Sequence, residues 1–113
     1  MTLHDHSVAL LHMRDHAEEA IELSDGRTRE DLETDRVFEL APTRLVEVIG
    51  EAAGRVPAQI QDAHPEIPWR QIVGTRHRLV HGYDAVDHDI LWRIVSDELP
   101  ELVDRLRALL SEA

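Results

Sequence analysis

An all-α fold, an antiparallel bundle of four to five helices, is predicted by three observations. Ala, Leu, Glu and Arg, which lose little on entering a helix, are abundant. Aromatic residues make up only 4% of the chain, and no run alternates with period two, so no sheet is expected. Apolar residues instead recur at spacings of three and four, the period of an amphipathic helix. At 113 residues the chain is expected to form one domain, residues 1–113.

The elements follow in order. A first helix is predicted from Asp5 or His6 to Leu23, with Val8, Leu11, Ala17 and Ile21 on its apolar face. Ser24-Asp25-Gly26 ends it, Gly26 serving as a left-handed cap. Thr28 opens a short second helix, with Asp31 three residues on in a capping-box arrangement. Thr34 or Asp35 caps a long helix to about Arg55, striped by Val37, Leu40, Leu45, Val48, Ile49 and Ala52. Pro42 lies inside it and is expected to kink or divide it. Gly54 and Pro57 mark the end, with a turn at Ala58 to Ala63. Pro68 suits the first position of the next helix, Trp69 to about Val80, which points Ile72, Val73, Leu79 and Val80 inward and stops at Gly82. The last helix starts near Asp87 or His88 and runs towards Ser111, bent at Pro100.

Composition bounds the function. The formal charge is 12 − 23 = −11, which argues against indiscriminate attraction to a nucleic-acid backbone. It is compatible with a small site that engages one or two phosphates. Cysteine is absent, so disulfides, zinc-thiolate centres and a thiol nucleophile are excluded. No apolar run reaches membrane-spanning length, and the first residues lack the pattern of a signal peptide; a cytoplasmic protein is expected.

One segment departs from the acidic background. Ile67 to Tyr83, IPWRQIVGTRHRLVHGY, contains no Asp or Glu and carries Arg70, Arg76 and Arg78 with His77 and His81. Its local charge is +3, against −14 for the rest of the chain. The spacing Arg76, four residues, His81, one residue, Tyr83 suits attack on a phosphodiester. In RNA cleavage without a metal, a 2′-hydroxyl loses a proton, the 5′-oxygen gains one, and a pentavalent phosphorane must be stabilised. Histidine titrates near neutrality and can move both protons. Arginine stays charged and grips phosphate oxygens in pairs. Tyrosine donates a hydrogen bond or stacks on a base. On a regular helix, Arg76 and His81 would point about 140° apart, whereas His77 and His81 would share a face. A break at Gly82 would let the last turn loosen and Tyr83 fold back. Arg70 and Arg78 could steer phosphate or serve as surface charges and structural ion pairs.

The stretch PEIPWRQIVGTRHRLVHGYDAVDHDILWRIVSDELPEL, with RLVEVIGEAAGRVP upstream, resembles the HepT-like HEPN family, whose hallmark of Arg, four residues, His, one residue, Tyr falls on Arg76, His81 and Tyr83. The similarity covers nearly the whole chain. It implies an all-helical homodimer with a composite ribonuclease site at the dimer cleft. It further implies a metal-independent RNase toxin of a bacterial toxin–antitoxin pair, needing no cofactor and acting on RNA. Its partner would be a nucleotidyltransferase (MNT) antitoxin that transfers AMP to the motif tyrosine, here Tyr83. His77 stands where relatives often carry Asn or Asp, and is a possible auxiliary acid–base or polar group.

The other readings are plainer. Alternatively, the domain is a non-catalytic HEPN dimer module that binds a nucleotide or a partner. His12 and His16 are spaced as a helical metal pair, but no HExxH motif supplies a site and no metal is expected. His64 and His88 read as turn or cap residues, and Trp69 and Trp92 as core or interface anchors.

Overall fold

The computed structural model describes residues 3–81 and 85–112, with side chains from 7 to 80 and from 85 to 112. Helix α1 spans Leu3–Ser24 and ends in Gly26, whose φ of 74° is the left-handed cap that the sequence predicts. Helix α2, Asp31–Thr34, is a single turn. The Asp31 carboxylate accepts the Thr28 amide at 2.8 Å, but the helix begins only after Glu30, so Thr28 belongs to the preceding turn and does not cap it as expected. Asp35 caps α3, Arg36–Gly54, by accepting the Phe38 amide at 3.1 Å. Arg27 closes over this corner, 2.7 Å from Asp35 and 4.3 Å above the Phe38 ring. The guanidinium holds the Asp35 carboxyl below its ordinary range, with the Phe38 amide contributing.

Pro42 does not divide α3, one of the two outcomes expected of it. The helix runs through it, and its ring is fully buried on the core face, where packing offsets the hydrogen bond that it cannot donate. Met13, Ala17 and Ala20 of α1 meet Val46, Ile49 and Ala53 of α3 in the centre of the core. A short α4, Ala58–Ala63, occupies the expected turn.

Three further departures concern the second half. The segment after Pro68 is not one helix but two, α5 (Trp69–Val73) and α6 (Thr75–Leu79), separated at Gly74. The helix ends at Leu79, before Gly82, because Val80 is already extended (φ −96°, ψ 122°). Finally, the expectation of no strands fails locally. Val80–His81 (β1) pairs antiparallel with Ala85–Val86 (β2), Val80 opposite Val86 and His81 opposite Ala85. Val73 and Val80, expected inside, are 48% and 39% exposed.

Asp87 then caps α7, His88–Arg93, by accepting the Ile90 amide at 3.0 Å. At Pro100 the regular helix is interrupted. The proline cannot donate to the Ser96 carbonyl, and the preceding turn, Ile94–Glu98, opens to π-helical spacing before α8, Leu99–Ser111. Leu99, Leu102 and Leu106 close the core against α1. The class is therefore all-α, with α1, α3, the α5–α6 segment and the α7–α8 rod as its main members. Among the described residues no helix is long and apolar enough to cross a membrane.

Candidate active site

The basic segment is held against α3 by close backbone packing. A Cβ on Gly50 would lie 2.9 Å from the Ile72 carbonyl oxygen, so glycine there lets α5 lie directly on α3. Thr75, the one buried polar side chain among the described residues, stitches the break between α5 and α6. Its hydroxyl donates to the Ile72 carbonyl at 2.8 Å, with the Gln71 carbonyl at 3.2 Å. Leu79 is 1% exposed and anchors the far end of α6. The Asp87 amide donates to the Leu79 carbonyl at 2.8 Å, closing the base of the β1–β2 hairpin.

These constraints leave Arg76 and His77 exposed on a cleft of about 520 Å³. One wall is α3, with Arg36, Glu39, Leu40, Thr43 and Glu47; the other is α6 and the hairpin, with Arg76, His77, Leu79, Val80 and Val86. Arg76 also borders a smaller neighbouring hollow of about 280 Å³ beside Gly50 and Val73. It therefore stands on the ridge between the two. Among the described residues neither Arg76 nor His77 makes a side-chain hydrogen bond or ion pair. Arg55, Arg70 and Arg93 share this among the described residues, but of these four arginines only Arg76 lines the cleft. Arg27, Arg29, Arg36, Arg78, Arg105 and Arg107 all engage carboxylates. No described residue occupies the five donors of Arg76, which can meet an incoming anion.

The remaining sequence candidates separate. Arg78, one residue beyond His77, turns away and binds Glu98 with both terminal nitrogens, at 3.0 and 2.9 Å. Gln71 donates to the same carboxylate at 3.0 Å. Arg78 thus takes the structural role among those open to it, and its ion pair holds the Glu98 carboxyl below its usual range. Arg70 is exposed on α5 and lines neither hollow. His81 sits on β1 by its backbone, not in the last turn of a helix, so the expected shared helical face of His77 and His81 does not form. Tyr83 lies outside the described residues.

Other predicted roles are met in outline. The Trp69 indole is buried and donates to the His64 carbonyl at 2.9 Å, while His64 closes α4 as its C-cap. The cleft also holds Glu39, which the sequence does not single out. Glu39 is bonded to His88 at 2.5 Å and to Arg36. His88 is the first residue of α7, 49 residues from Glu39 in the chain, too far apart for a local signal of their pairing.

Comparison with known proteins agrees with this geometry. Residues 13–109 match the ribonuclease HepT-like family. The chain is 39% identical over 95 residues to a protein of Thermococcus cleftensis named "Probable ribonuclease HepT", covering 80% of this chain and 86% of that protein. It is 34% identical over 103 residues to a candidate RNase of Caldanaerobacter subterraneus subsp. tengcongensis, covering 91% and 92%. A candidate RNase of Methanocaldococcus jannaschii is 28% identical over 102 residues, covering 90% and 94%. No solved structure matches the chain. An exposed arginine on an open cleft, a helical scaffold and a match across most of the length converge on one assignment: the chain belongs to the ribonuclease HepT-like family.

Proposed function

We propose that this protein is a metal-independent endoribonuclease, the toxin of a toxin–antitoxin pair, acting as a homodimer. The observation that carries the reading is Arg76, an exposed guanidinium without a carboxylate partner among the described residues, on an open cleft of a ribonuclease-family scaffold. In this reading Arg76 binds the scissile phosphate and stabilises the phosphorane. His81 takes the 2′-hydroxyl proton or returns one to the leaving 5′-oxygen, and Tyr83 supports the site. His77, free and exposed beside Arg76, serves as a second polar or acid–base group. The first product is a 2′,3′-cyclic phosphate.

A twin subunit fits the exposed apolar side chains around the cleft. Val37 is 76%, Leu40 50% and Val80 39% exposed, and Leu40 and Val80 line the cleft itself. Covering such a face removes apolar surface from water and brings a second copy of Arg76 near the first.

Neutralisation by an MNT-type nucleotidyltransferase antitoxin follows the same electrostatics. AMP on Tyr83 would place a phosphate and a purine beside Arg76, satisfying the anion site and blocking RNA. RNA cleavage by the purified protein in excess chelator tests the activity. The expected result is cleavage that leaves cyclic phosphate ends and disappears in a folded His81→Ala variant. Nucleotide binding by calorimetry with no cleavage of any RNA would instead establish a non-catalytic binding module.

A further inference from the structure

Behind the cleft lies a polar pair that closes a long loop in the chain. Oε2 of Glu39, on α3, is 2.5 Å from Nε2 of His88, the first residue of α7, across 49 residues of sequence. Both side chains are largely buried, at 14% and 17% exposure. The Glu39 carboxylate also accepts from Arg36 at the cleft wall. The other ring nitrogen of His88 faces Glu33 of α2 at 3.9 Å. Arg29 bonds both Glu33 (2.7 Å) and Asp89 (2.5 Å), so α2, α3 and the start of α7 are joined in one network.

The position of this network matters more than its strength. His88 follows the β1–β2 hairpin by one residue, Asp87, whose amide closes the hairpin base on Leu79. Glu39 lines the same cleft as Arg76 and His77. A tie from Glu39 to His88 therefore fixes the hairpin, which carries the backbone of His81, relative to the α3 wall. The network contains no group from α6. It can thus set the spacing across the cleft without touching a phosphate bound at Arg76.

We propose that Glu39 is a positioning residue, which acts through His88 to hold the β1–β2 hairpin in register with α3 and so keeps the two walls of the cleft at working distance. The catalytic consequence rests on the ribonuclease reading; the tie itself rests on the geometry alone. Displacing a reacting group by about 1 Å costs about a hundredfold in rate. Loss of the tie should therefore appear in kcat and leave KM nearly unchanged, since Arg76 is not disturbed.

The test is a double-mutant cycle on the full chain, read by RNA cleavage in chelator and by amide exchange. Glu39→Ala and His88→Ala should each lower kcat about ten- to a hundredfold, and the double variant should be no worse than the more damaged single one. His88→Gln, which keeps a donor for Glu39, should recover part of the loss. Independently of activity, the Asp87 amide should exchange faster in Glu39→Ala while core amides of α1 keep their protection. Glu39→Leu, which fills a similar space but offers His88 no acceptor, serves the same comparison if the alanine variant does not fold. Multiplicative losses in kcat, a change confined to KM, or an Asp87 amide unchanged in exchange would overturn the proposal. If the native protein cleaves no RNA, the ribonuclease reading fails by itself, and the exchange measurement still decides the tie.

Discussion

Arg78 and Glu98 meet across the bundle in a two-pronged ion pair, Nη1 to Oε1 at 3.0 Å and Nη2 to Oε2 at 2.9 Å. The pair joins α6 to the π-helical turn and so fixes the helix on which Arg76 and His77 stand. Both side chains are about one-quarter to one-third exposed, at 26% and 30%. Solvent screens the pair, but each prong is a charge-assisted bond. Arg78→Ala should therefore cost about 1–2 kcal/mol. For a domain of this size that lowers Tm by roughly 4–8 °C per kcal/mol. Thermal denaturation checks it, and an unchanged Tm would show the pair to contribute nothing.

The same bonds predict loss of stability in acid. His88 holds the Glu39 carboxyl, and Arg78 the Glu98 carboxyl, below their ordinary values. In the unfolded chain a glutamate titrates near about 4.3. A carboxyl depressed on folding contributes stability that is fully present above that unfolded value. The contribution is lost as pH falls through the lower folded value. Tm measured from pH 7 to 3 should therefore hold level above about 5 and drop below about 4.3. Glu98→Gln should flatten the drop. An equally steep acid limb in that variant would remove Glu98 from the account.

Much of the fold could be read in the chain because its punctuation is local. Gly26 as a left-handed cap and Asp35 and Asp87 as side-chain caps need only a few neighbouring residues, and all three form. The site was harder to read because its shape depends on distant partners. The end of α6 at Leu79 is tied to pairing with residues 85–87, which the helical periodicity of the segment hides. Val73 and Val80 fit the apolar stripe of a continuous helix but lose that face once Gly74 and Leu79 interrupt it. Arg76 could be singled out by its acid-free surroundings. Arg78 has the same surroundings, and only the folded chain reveals that Glu98 claims it.

Two glycines of α3 should respond in opposite directions to the same change. Alanine is favoured over glycine in a helix by about 0.8–1.0 kcal/mol. At Gly54 a Cβ meets nothing within 4 Å, so Gly54→Ala should stabilise the protein by up to about that amount. At Gly50 the Cβ would sit 2.9 Å from the Ile72 carbonyl oxygen, and backbone cannot rotate away. Overpacking of this kind costs about 1–3 kcal/mol and outweighs the helix preference. Gly50→Ala should therefore destabilise the protein and loosen α5. Chemical denaturation of the two variants side by side checks both signs.

The proposed twin subunit can be tested where the surface is most apolar. Val37, 76% exposed, contributes little to the core of one chain. Val37→Glu should leave the stability of an isolated chain within roughly 0.5 kcal/mol of native, as an exposed substitution does. In a dimer it would bury a charge without a partner at the interface and should shift the protein to the monomer. Light scattering coupled to size exclusion gives the answer directly. A native protein that runs as a monomer at all concentrations would defeat the composite site.

Arg76 allows the sharpest test, because charge and shape can be separated at one position. Removing a donor aimed at transition-state charge costs about 10²–10³-fold in kcat. Arg76→Ala should show that loss and should also weaken RNA binding. If one phosphate contact disappears, the slope of log affinity against log salt should shrink by about 0.7 for a single strand. Arg76→Lys keeps the point charge and should restore the native salt slope. It cannot reproduce the planar fork that grips two phosphate oxygens, so kcat should remain well below the native rate. Because Arg76 is exposed and has no ion pair among the described residues, neither change should lower Tm appreciably. A lysine variant with native kcat would reduce Arg76 to a steering charge, and an alanine variant with native kcat would remove it from the site altogether.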